Sequence, residues 1–339
     1  MSEVKKAILL VNLGTPDAPV AGAVRRYLAE FLNDPHVIDI PNPRRFLLVN
    51  CIIIPFRLRK STALYRRLWT PEGSPISNYL KLLQQKVAAL SADTSVYAAM
   101  RYGRPSIRGC MKQLHDDGIT HLTVLPLYPQ YAVSTTETIF AEVRKYQSRM
   151  PAIKELHFIH QFYNHPAFLT SFQQRIESYD PASFDHLIFS YQSLPERHLD
   201  RIHPGISCRN CSCEEAMPAT GAGCYKATAY ETARRLAERL HLQPGKYSVA
   251  FQSRFAKKWI GPFTEDVVRQ LARTGARRVL VVAPSFVADC LETIVEIGME
   301  YRELFEKEGG DELVMAGSLN AEDYWAEAVV SIITNKEEN

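Results

Sequence analysis

KQLHDDGITHLTVLPLYPQYAVSTTETI at residues 112–139 and RQLARTGARRVLVVAPSFVADCLETI at residues 269–294 are two copies of one pattern. Each copy begins with a basic residue, Gln and Leu, reaches a glycine at the end of a predicted helix, and continues into an apolar strand. Each strand runs into a loop that closes with Glu-Thr-Ile before a new helix begins. The shared order of elements favours a duplication over chance similarity, and it predicts two similar α/β halves.

The segments around each copy extend the pattern. VYAAMRYGR at 96–104 precedes the first copy, and the similar YSVAFQSRF at 247–255 precedes the second. Two further apolar runs, at 7–13 and 186–192, complete the predicted buried strands. Apolar strands that alternate with helical stretches are typical of parallel sheets covered on both faces.

We therefore predict an α/β fold with parallel sheets in two halves, residues 1–170 and 171–325, with a helix at 166–179 near the junction. In such folds the ligand binds beyond the carboxyl ends of the strands, so the loops after the strands are expected to meet at one cleft. None of these loops carries a P-loop or GxGxxG motif, and nucleotide binding is not expected.

The overall composition points to a cytoplasmic protein that does not bind nucleic acid. The 339 residues carry a formal charge of only +3, with a pI near 8.4 and no long basic run. The start, MSEVKKAILLVNLG, lacks the apolar core and cleavage site of a signal peptide. A cytosolic location would keep the thiols reduced.

A second apolar run, FLLVNCIIIPF at 46–56, has eleven residues and is too short to cross a bilayer. It is flanked by basic residues: Arg44, Arg45, Arg57, Arg59 and Lys60. One interpretation is a buried segment with solvated ends. The other is an exposed patch that contacts anionic lipid or a second copy of the chain in a homodimer.

The loops expected at the cleft carry side chains suited to a large, flat, acidic ligand. The aromatic ones are Tyr102, Tyr128, Tyr131, Phe255, Trp259 and Phe286. The polar ones, suited to acidic groups at the ligand's edge, are Arg101, Ser134, Thr135 and Thr136. For any single aromatic, core packing is the favoured explanation. For each polar residue alone, a solvated loop position is an equally good explanation.

Three carboxylates follow the second copy of the repeat. Glu292, Glu296 and Glu300 are four residues apart, which would place them on one face of a predicted helix. They repel one another unless that face is solvated or binds a cation. Because the helix starts at a strand's carboxyl end, Glu292 is expected to face the cleft, where such a line of carboxylates would pass protons or metal ions.

Taken together, these segments resemble the ferrochelatase family, in its bacterial, Gram-negative form, from about residue 5 to 320. The motifs that carry the resemblance, in order, are LLVNLGTPDAP, VRRYLAEFLNDP, GSPI, MRYGRPSI, LYPQYAVSTT, FSYQSLP, QSRF with a following Trp, and PSFVADCLET. The resemblance implies two Rossmann-like halves around a porphyrin cleft. It also implies a lyase that inserts ferrous iron into protoporphyrin IX to form heme, with loss of two pyrrole protons.

The resemblance assigns roles residue by residue. Glu292 matches the family's catalytic Glu, which acts as proton acceptor or iron contact, with Glu296 behind it in a proton path. Arg101 and Tyr102 match a pair near the point of metal entry. The expected porphyrin-binding residues are Leu13, Arg101, Tyr102, Tyr128, Tyr131, Ser134, Thr135 and Trp259.

The chain departs from the family where the catalytic His is expected, because SYQSLP places Gln192 there. An imidazole accepts a proton near neutral pH and binds iron, whereas an amide is no base and its oxygen is only a weak ligand. Gln192 is then an engineered change, a natural variant whose protons leave through Glu292 and Glu296, or the mark of a relative that binds porphyrin without metal insertion. His198 and His203 lie downstream as candidate substitutes. Cys290 stands where some members of the family carry a His, and a Cys at this position is what the Gram-negative form of the family shows.

Four of the chain's seven cysteines, Cys208, Cys211, Cys213 and Cys224, fall within seventeen residues in an apparent insertion. Clustered cytosolic thiols favour a metal over disulfides. The spacing C-x2-C-x-C-x10-C suits zinc less well than an iron–sulfur cluster. Some ferrochelatases hold a two-iron two-sulfur cluster, and the resemblance implies one here. Zinc and unliganded thiols remain the alternatives.

Two other functions stay open at this point. A porphyrin- or heme-binding protein that senses iron or redox state without turnover is favoured by Gln192. A chelatase for another tetrapyrrole or metal is the second alternative.

Overall fold

The computed structural model describes residues 4–203 and 205–334. Within these residues the strands are β1 (Lys6–Gly14), β2 (Thr94–Tyr102), β3 (His121–Pro126), β4 (Glu155–Phe158), β5 (His186–Gln192), β6 (Tyr247–Gln252), β7 (Arg278–Val282) and β8 (Glu312–Met315). The α-helices are α1 (Ala21–Leu32), α2 (Arg44–Leu47), α3 (Ile54–Leu68), α4 (Pro75–Leu90), α5 (Ile107–Asp116), α6 (Thr138–Gln147), α7 (Pro166–Glu177), α8 (Glu196–Leu199), α9 (Tyr225–Arg239), α10 (Thr264–Arg273), α11 (Arg302–Lys307) and α12 (Asp323–Thr334). Wider, π-helical turns span Leu48–Ile53, Val133–Glu137 and Leu291–Tyr301, and tighter 3₁₀ turns span Pro181–Ser183, Ser212–Glu214 and Gly221–Gly223.

The strands form two four-stranded sheets in which every neighbouring pair is parallel. Their orders are β2-β1-β3-β4 and β6-β5-β7-β8, so the second sheet repeats the first with each strand moved four places along the chain. This identity of order confirms the predicted α/β fold of two similar halves with parallel sheets.

Each sheet is built around a strand buried on both faces. In β1, residues 7–11 are all buried, and Leu9 pairs with Tyr97 on one side and Val124 on the other. In β5, Phe189 lies in the same way between Val249 and Val282. Because helices cover both faces of these central strands, their sequences read as continuous apolar runs.

The chain divides into two compact units. The first contains the residues up to Tyr128, Ala132–Gln161 and the C-terminal segment from Ala321. The second contains Pro129–Tyr131 and Phe162–Asn320. These limits differ from the predicted halves 1–170 and 171–325 at both ends of the second unit.

The C-terminal difference has a clear physical cause. Helix α12 packs on α4 of the first unit, and Trp325 is fully buried. Lys86 of α4 also forms an ion pair with Asp323, with 2.6 Å between Nζ and Oδ1. An amphipathic helix packs on the surface that covers its apolar face. The sequence repeat does not extend to α12, so it does not predict that this helix packs on α4.

The apolar stretch 46–56 is helical, and its two faces differ. Val49 and Ile54 are buried against α1, and Leu48 and Ile53 are half-buried. Four other large apolar side chains are exposed: Phe46, Leu47, Ile52 and Phe56. The interpretation of a buried segment with solvated ends does not hold, because Ile52 in the middle of the stretch is exposed. None of the helices in the described part of the chain has the length and apolar composition needed to cross a bilayer.

The end of β1 tolerates no side chain at Gly14. Its φ of +125° disfavours any L-residue, and an added Cβ would overlap the carbonyl group of Tyr102 on the adjacent strand. We expect Gly14→Ala to lower the free energy of unfolding by roughly 2 kcal/mol or more, since a strained backbone and a steric overlap add. Urea unfolding followed by circular dichroism measures the loss.

Gly245→Ala is the matched control. Gly245 also has a positive φ, +82°, but an added Cβ there meets no atom within 4 Å. Gly245→Ala should lower the free energy of unfolding by only about 1 kcal/mol, because alanine disfavours a positive φ but meets no steric overlap. Equal losses in the two variants would contradict the steric argument.

Candidate functional site

In the first unit, the predicted ligand-binding residues Arg101 and Tyr102 converge on a buried carboxylate, Asp34. Oδ2 of Asp34 accepts hydrogen bonds from Arg101 Nη2 at 2.5 Å, Thr138 Oγ1 at 2.6 Å and the Tyr102 hydroxyl at 2.9 Å. Oδ1 accepts from the backbone N–H of His36 at 2.8 Å. The Arg101 guanidinium also lies over the Tyr102 ring, 4.5 Å from its centroid.

This network keeps Asp34 ionised. Burial alone would raise its pKa, but the hydrogen bonds from Thr138 and His36, with the charge of Arg101, outweigh burial and lower it. Burial and the neighbouring Asp34 charge raise the pKa of Tyr102, whose hydroxyl stays protonated as a donor. Arg101 and Tyr102 are therefore fixed in place before any ligand binds.

Of the other predicted porphyrin-binding residues of the first unit, Leu13 lies near the end of β1, and the rest lie on the segment after β3. All four are half-buried: Leu13, Tyr128, Ser134 and Thr135. Ser134 and Thr135 belong to the π-helical turn Val133–Glu137, where the Thr135 N–H donates to the Ala132 carbonyl at 3.2 Å. Tyr131, predicted with them, belongs to the second unit.

In the second unit, Gln192 is the last residue of β5, and both its backbone and its side chain form hydrogen bonds. Its N–H donates to Ser285 Oγ at 3.3 Å, and its side-chain Nε2 donates to the Ser193 carbonyl at 3.2 Å. The amide is thereby oriented with its oxygen, Oε1, as the remaining polar atom. An oxygen of this kind accepts hydrogen bonds but takes up no proton near neutral pH.

The predicted aromatic side chain Trp259 lies on the loop between β6 and α10. It is half-buried, and its ring centroid is 6.2 Å from that of the exposed Phe255. A backbone bridge joins Trp259 to Pro195. The segment after Gln192 is thus bound to the segment that carries this aromatic pair.

Glu292 and Glu296 lie on one helical segment, Leu291–Tyr301, which is π-helical rather than the α-helix assumed from the spacing. The wider winding lets the Tyr301 hydroxyl reach back five residues to donate to Glu296 Oε1 at 2.7 Å. Single π-helical turns are frequent at functional sites, and four-residue spacing cannot reveal them.

Glu296 is held from three directions. Besides the Tyr301 hydroxyl, the Ser253 N–H donates to Oε1 at 2.8 Å, and the Ser253 hydroxyl donates to Oε2. Ser253 directly follows β6 and adopts a φ of +60°, uncommon for a residue other than glycine. Burial nevertheless raises the pKa of Glu296, and the nearby charge of Glu292 raises it further.

Glu292 is half-buried and accepts a hydrogen bond from a thiol. Cys290 Sγ lies 3.1 Å from Glu292 Oε2, and burial first, then the Glu292 charge, raises the pKa of that thiol. Cys290 therefore stays protonated and acts as a donor. Glu300, the third carboxylate of the predicted line, is also half-buried.

The four clustered cysteines of the second unit form the cysteine pocket, in which each thiol is near enough to feel the charge of another. Cys208, Cys213 and Cys224 are buried, and Cys211 is half-buried with its thiol 3.1 Å from the Cys208 carbonyl oxygen. Ligand atoms of Cys213, Cys224 and His203 all lie within 4.8 Å of one another. In the part of the chain that the structure describes, which includes all seven cysteines, no disulfide forms.

The chemistry of this donor set fits a thiolate-bound metal group. Burial, with the neighbouring thiols, raises the pKa of Cys208 to about 12 and also raises that of Cys213 and Cys224. A bound cation reverses that cost, because a coordinating thiol loses its proton. The buried ammonium of Lys226 lies beside the pocket and donates to the Cys208 carbonyl at 3.2 Å.

Four functional residues escaped sequence reasoning. Asp34 lies inside a segment that carried the family resemblance, but nothing marked it as the partner of Arg101. Ser253 and Tyr301 gave no signal, since their role depends on the π-helical turn. His203 was considered only as a substitute for Gln192, and it lies instead against Cys213.

Comparisons with known proteins agree with this architecture. The family model described as Ferrochelatase matches residues 5–337. A ferrochelatase of Coxiella burnetii is 40% identical over 335 residues, which cover 97% of this chain and 93% of the relative. One of Azotobacter vinelandii is 41% identical over 332 residues, covering 96% and 97%. The solved structure of SirB from Bacillus subtilis with Fe3+ has a TM-score of 0.55 at 14% identity, covers 98% of both chains, and shows the fold alone.

The raised pKa of Glu296 predicts how stability depends on pH. Its folded pKa lies above the ordinary value of 4.5, so its contribution is complete below pH 4.5 and is lost as pH rises through the folded pKa. The Glu296→Gln variant has no titrating carboxyl group at this position, so its free energy of unfolding does not include this pH-dependent loss. We expect the free energy of unfolding of the variant, relative to the unchanged protein, to increase from pH 4.5 to neutral pH.

Urea unfolding across that pH range measures the difference. Glu327→Gln, at an exposed position, is the control and should run parallel to the unchanged protein. A parallel curve for Glu296→Gln would contradict the raised pKa.

Proposed function

The chain belongs to the ferrochelatase family, which inserts iron into porphyrin in heme biosynthesis, and we propose that Glu292 and Glu296 receive the two pyrrole protons that leave. The substrates are protoporphyrin IX and ferrous iron, and the product is heme. We assign the reaction to the lyases and the protein to the cytoplasm.

The single observation that carries this proposal is the state of Glu296. A general base works best when its pKa lies near the working pH, and burial moves the pKa of Glu296 upward in that direction. Ser253 and Tyr301 hold its carboxylate in a fixed position. Glu292, whose charge reaches Glu296, is the candidate first acceptor and iron contact, and Glu296 is the next group in the path.

Gln192 is proposed to act through its amide oxygen rather than as a base. With Nε2 bound to the Ser193 carbonyl, Oε1 is the atom suited to contact iron or a pyrrole N–H. The two pyrrole protons would then be accepted by Glu292 and Glu296 alone. Gln192 is also the feature that favours the second candidate function, a porphyrin- or heme-binding sensor without turnover. Another tetrapyrrole or metal as substrate is a further alternative.

We propose that the first unit contributes porphyrin contacts through Leu13, Tyr128, Ser134 and Thr135, whose half-buried side chains keep accessible surface. Hydroxyl groups are suited to the acidic edge of the macrocycle, and apolar side chains to its face. Arg101 and Tyr102 have a different environment, because their polar atoms are bound to Asp34. Their proposed part is to hold the end of β2 in a fixed position. In the second unit, Tyr131 and Trp259 are the proposed aromatic contacts.

The cysteine pocket is proposed to hold a two-iron two-sulfur cluster through Cys208, Cys211, Cys213 and Cys224. Four neighbouring thiols, three of them buried, support this assignment, and thiolates are the ligands that such clusters require. When bound, the cluster would supply one-electron redox chemistry. Metal insertion itself transfers no electron, so we assign the pocket a structural or redox-sensing role.

The exposed apolar side chains of residues 46–56 are proposed to form a contact surface. Phe56 is 84% exposed, and arginines flank the segment. This combination suits peripheral contact with an anionic membrane. A homodimer that covers the same face is the competing proposal.

Anaerobic insertion of ferrous iron into protoporphyrin, followed by absorption, tests the catalytic proposal. The unchanged protein should turn over, and Glu292→Gln should lower kcat by about 100-fold or more, because a general base contributes that much. Porphyrin binding, followed by fluorescence, should persist in the variant. Glu300→Gln, which removes a neighbouring carboxylate, is the control and should change kcat by only a few-fold.

A Gln192→His variant separates the alternatives. If only this variant turns over, Gln192 is a disabling change and the carboxylates do not suffice. If neither protein inserts iron while porphyrin still binds, the result supports the porphyrin- or heme-binding sensor and contradicts the enzyme.

Cys211→Ser tests the cluster. We expect the variant to lose iron, inorganic sulfide and visible absorption, and to become less soluble or less active, because three thiolates are left to hold the group. Cys51→Ser, at an exposed cysteine outside the pocket, is the control and should keep the colour. A colourless Cys211→Ser protein with full activity and stability would remove the structural role.

A further inference from the structure

His203 is a buried titratable group that the proposed reaction does not use. It is 8% exposed, and its Nε2 lies 3.3 Å from Cys213 Sγ. On the other side of the ring, Nδ1 lies 3.5 Å from the Thr220 hydroxyl oxygen. The imidazole is thus held between a hydroxyl and one of the four clustered sulfurs.

The partners of the ring determine where its proton sits. A metal-bound cysteine is a thiolate, which accepts hydrogen bonds and cannot donate one. Nε2 facing Cys213 must therefore carry the proton, and Nδ1 accepts from the Thr220 hydroxyl. In this arrangement both ring nitrogens have a hydrogen-bonding partner.

The four cysteine thiols are enough to fill the four ligand positions of a two-iron cluster. His203 is then left over as a neighbour of the cluster and need not bind iron. Hydrogen bonds to the sulfurs are among the factors that set the reduction potential of such clusters, because they stabilise the added negative charge of the reduced state.

We propose that His203 is a positioning residue for the cluster, which donates its Nε2–H to the Cys213 sulfur and makes the cluster easier to reduce. This inference rests on the proposed cluster. It gives the redox-sensing role a specific residue in this chain, and it explains why a histidine is buried among thiols.

The test measures the midpoint reduction potential of the protein reconstituted with iron and sulfide. Dithionite titration with mediators under argon is followed by visible absorption and by electron paramagnetic resonance. His203→Leu should keep two irons and two sulfides per chain, but the equilibrium constant for its reduction should fall about tenfold, which is about 59 mV for one electron. His203→Gln keeps an N–H donor on a similar side chain, and its potential should stay close to that of the unchanged protein.

His198→Leu, on the same segment but outside the pocket, is the control and should leave the potential unchanged. An unaltered potential in His203→Leu overturns the proposal. Loss of iron and sulfide from His203→Leu and His203→Gln, with an unchanged circular dichroism spectrum, also overturns it, because His203 would then be a ligand. If the unchanged protein takes up zinc or no metal, the proposed cluster fails first, and its iron and sulfide content shows this before any potential is measured.

Discussion

Burial of both faces of each four-stranded sheet is the constraint on which the rest of this structure depends. A strand such as β1 or β5 has almost no room for a polar side chain, and Ser190 is accepted in β5 only because it bonds to Gln252 and Thr264. The polar side chains of the candidate site therefore lie at the ends of the strands or in the segments that follow them. Gln192 ends β5, Ser253 follows β6, and the helix of Glu292 follows the loop after β7. The equivalent strands of the two units are followed by connections of different length and structure, so each unit carries its own polar side chains there.

The two units use buried carboxylates in opposite ways. Asp34 is surrounded by donors and a guanidinium, so its pKa is lowered and it serves as a permanent anion that orients its neighbours. Glu296 has donors as well, but its main partners are neutral hydroxyls and its nearest charge is another carboxylate, so burial prevails and its pKa is raised. One carboxylate is suited to holding structure and the other to exchanging protons.

The strands and their parallel arrangement could be predicted because burial on two faces leaves a direct trace in composition. The apolar run 186–192 predicted the strand that Gln192 ends, and the repeat placed Glu292 on a helix that follows a strand and a loop. Contacts that depend on the exact winding or on long-range packing left no such trace. The Tyr301 hydroxyl reaches Glu296 along the π-helical segment. Asp34 bonds to the side chains of Arg101, Tyr102 and Thr138, which are 67 or more positions away. His203 contacts Cys213 inside an irregular insertion. Periodicity reports which face of an element is covered, but not which side chain covers it.

The return of α12 to the first unit has a consequence for synthesis on the ribosome. The surface of α4 that receives α12 leaves the exit tunnel more than two hundred residues before its cover does. Domains generally fold in the order in which they emerge, but here the unit that starts first is completed last. Until Trp325 docks, the first unit carries an open apolar groove, and a growing chain of this protein must be protected there while the whole second unit is made.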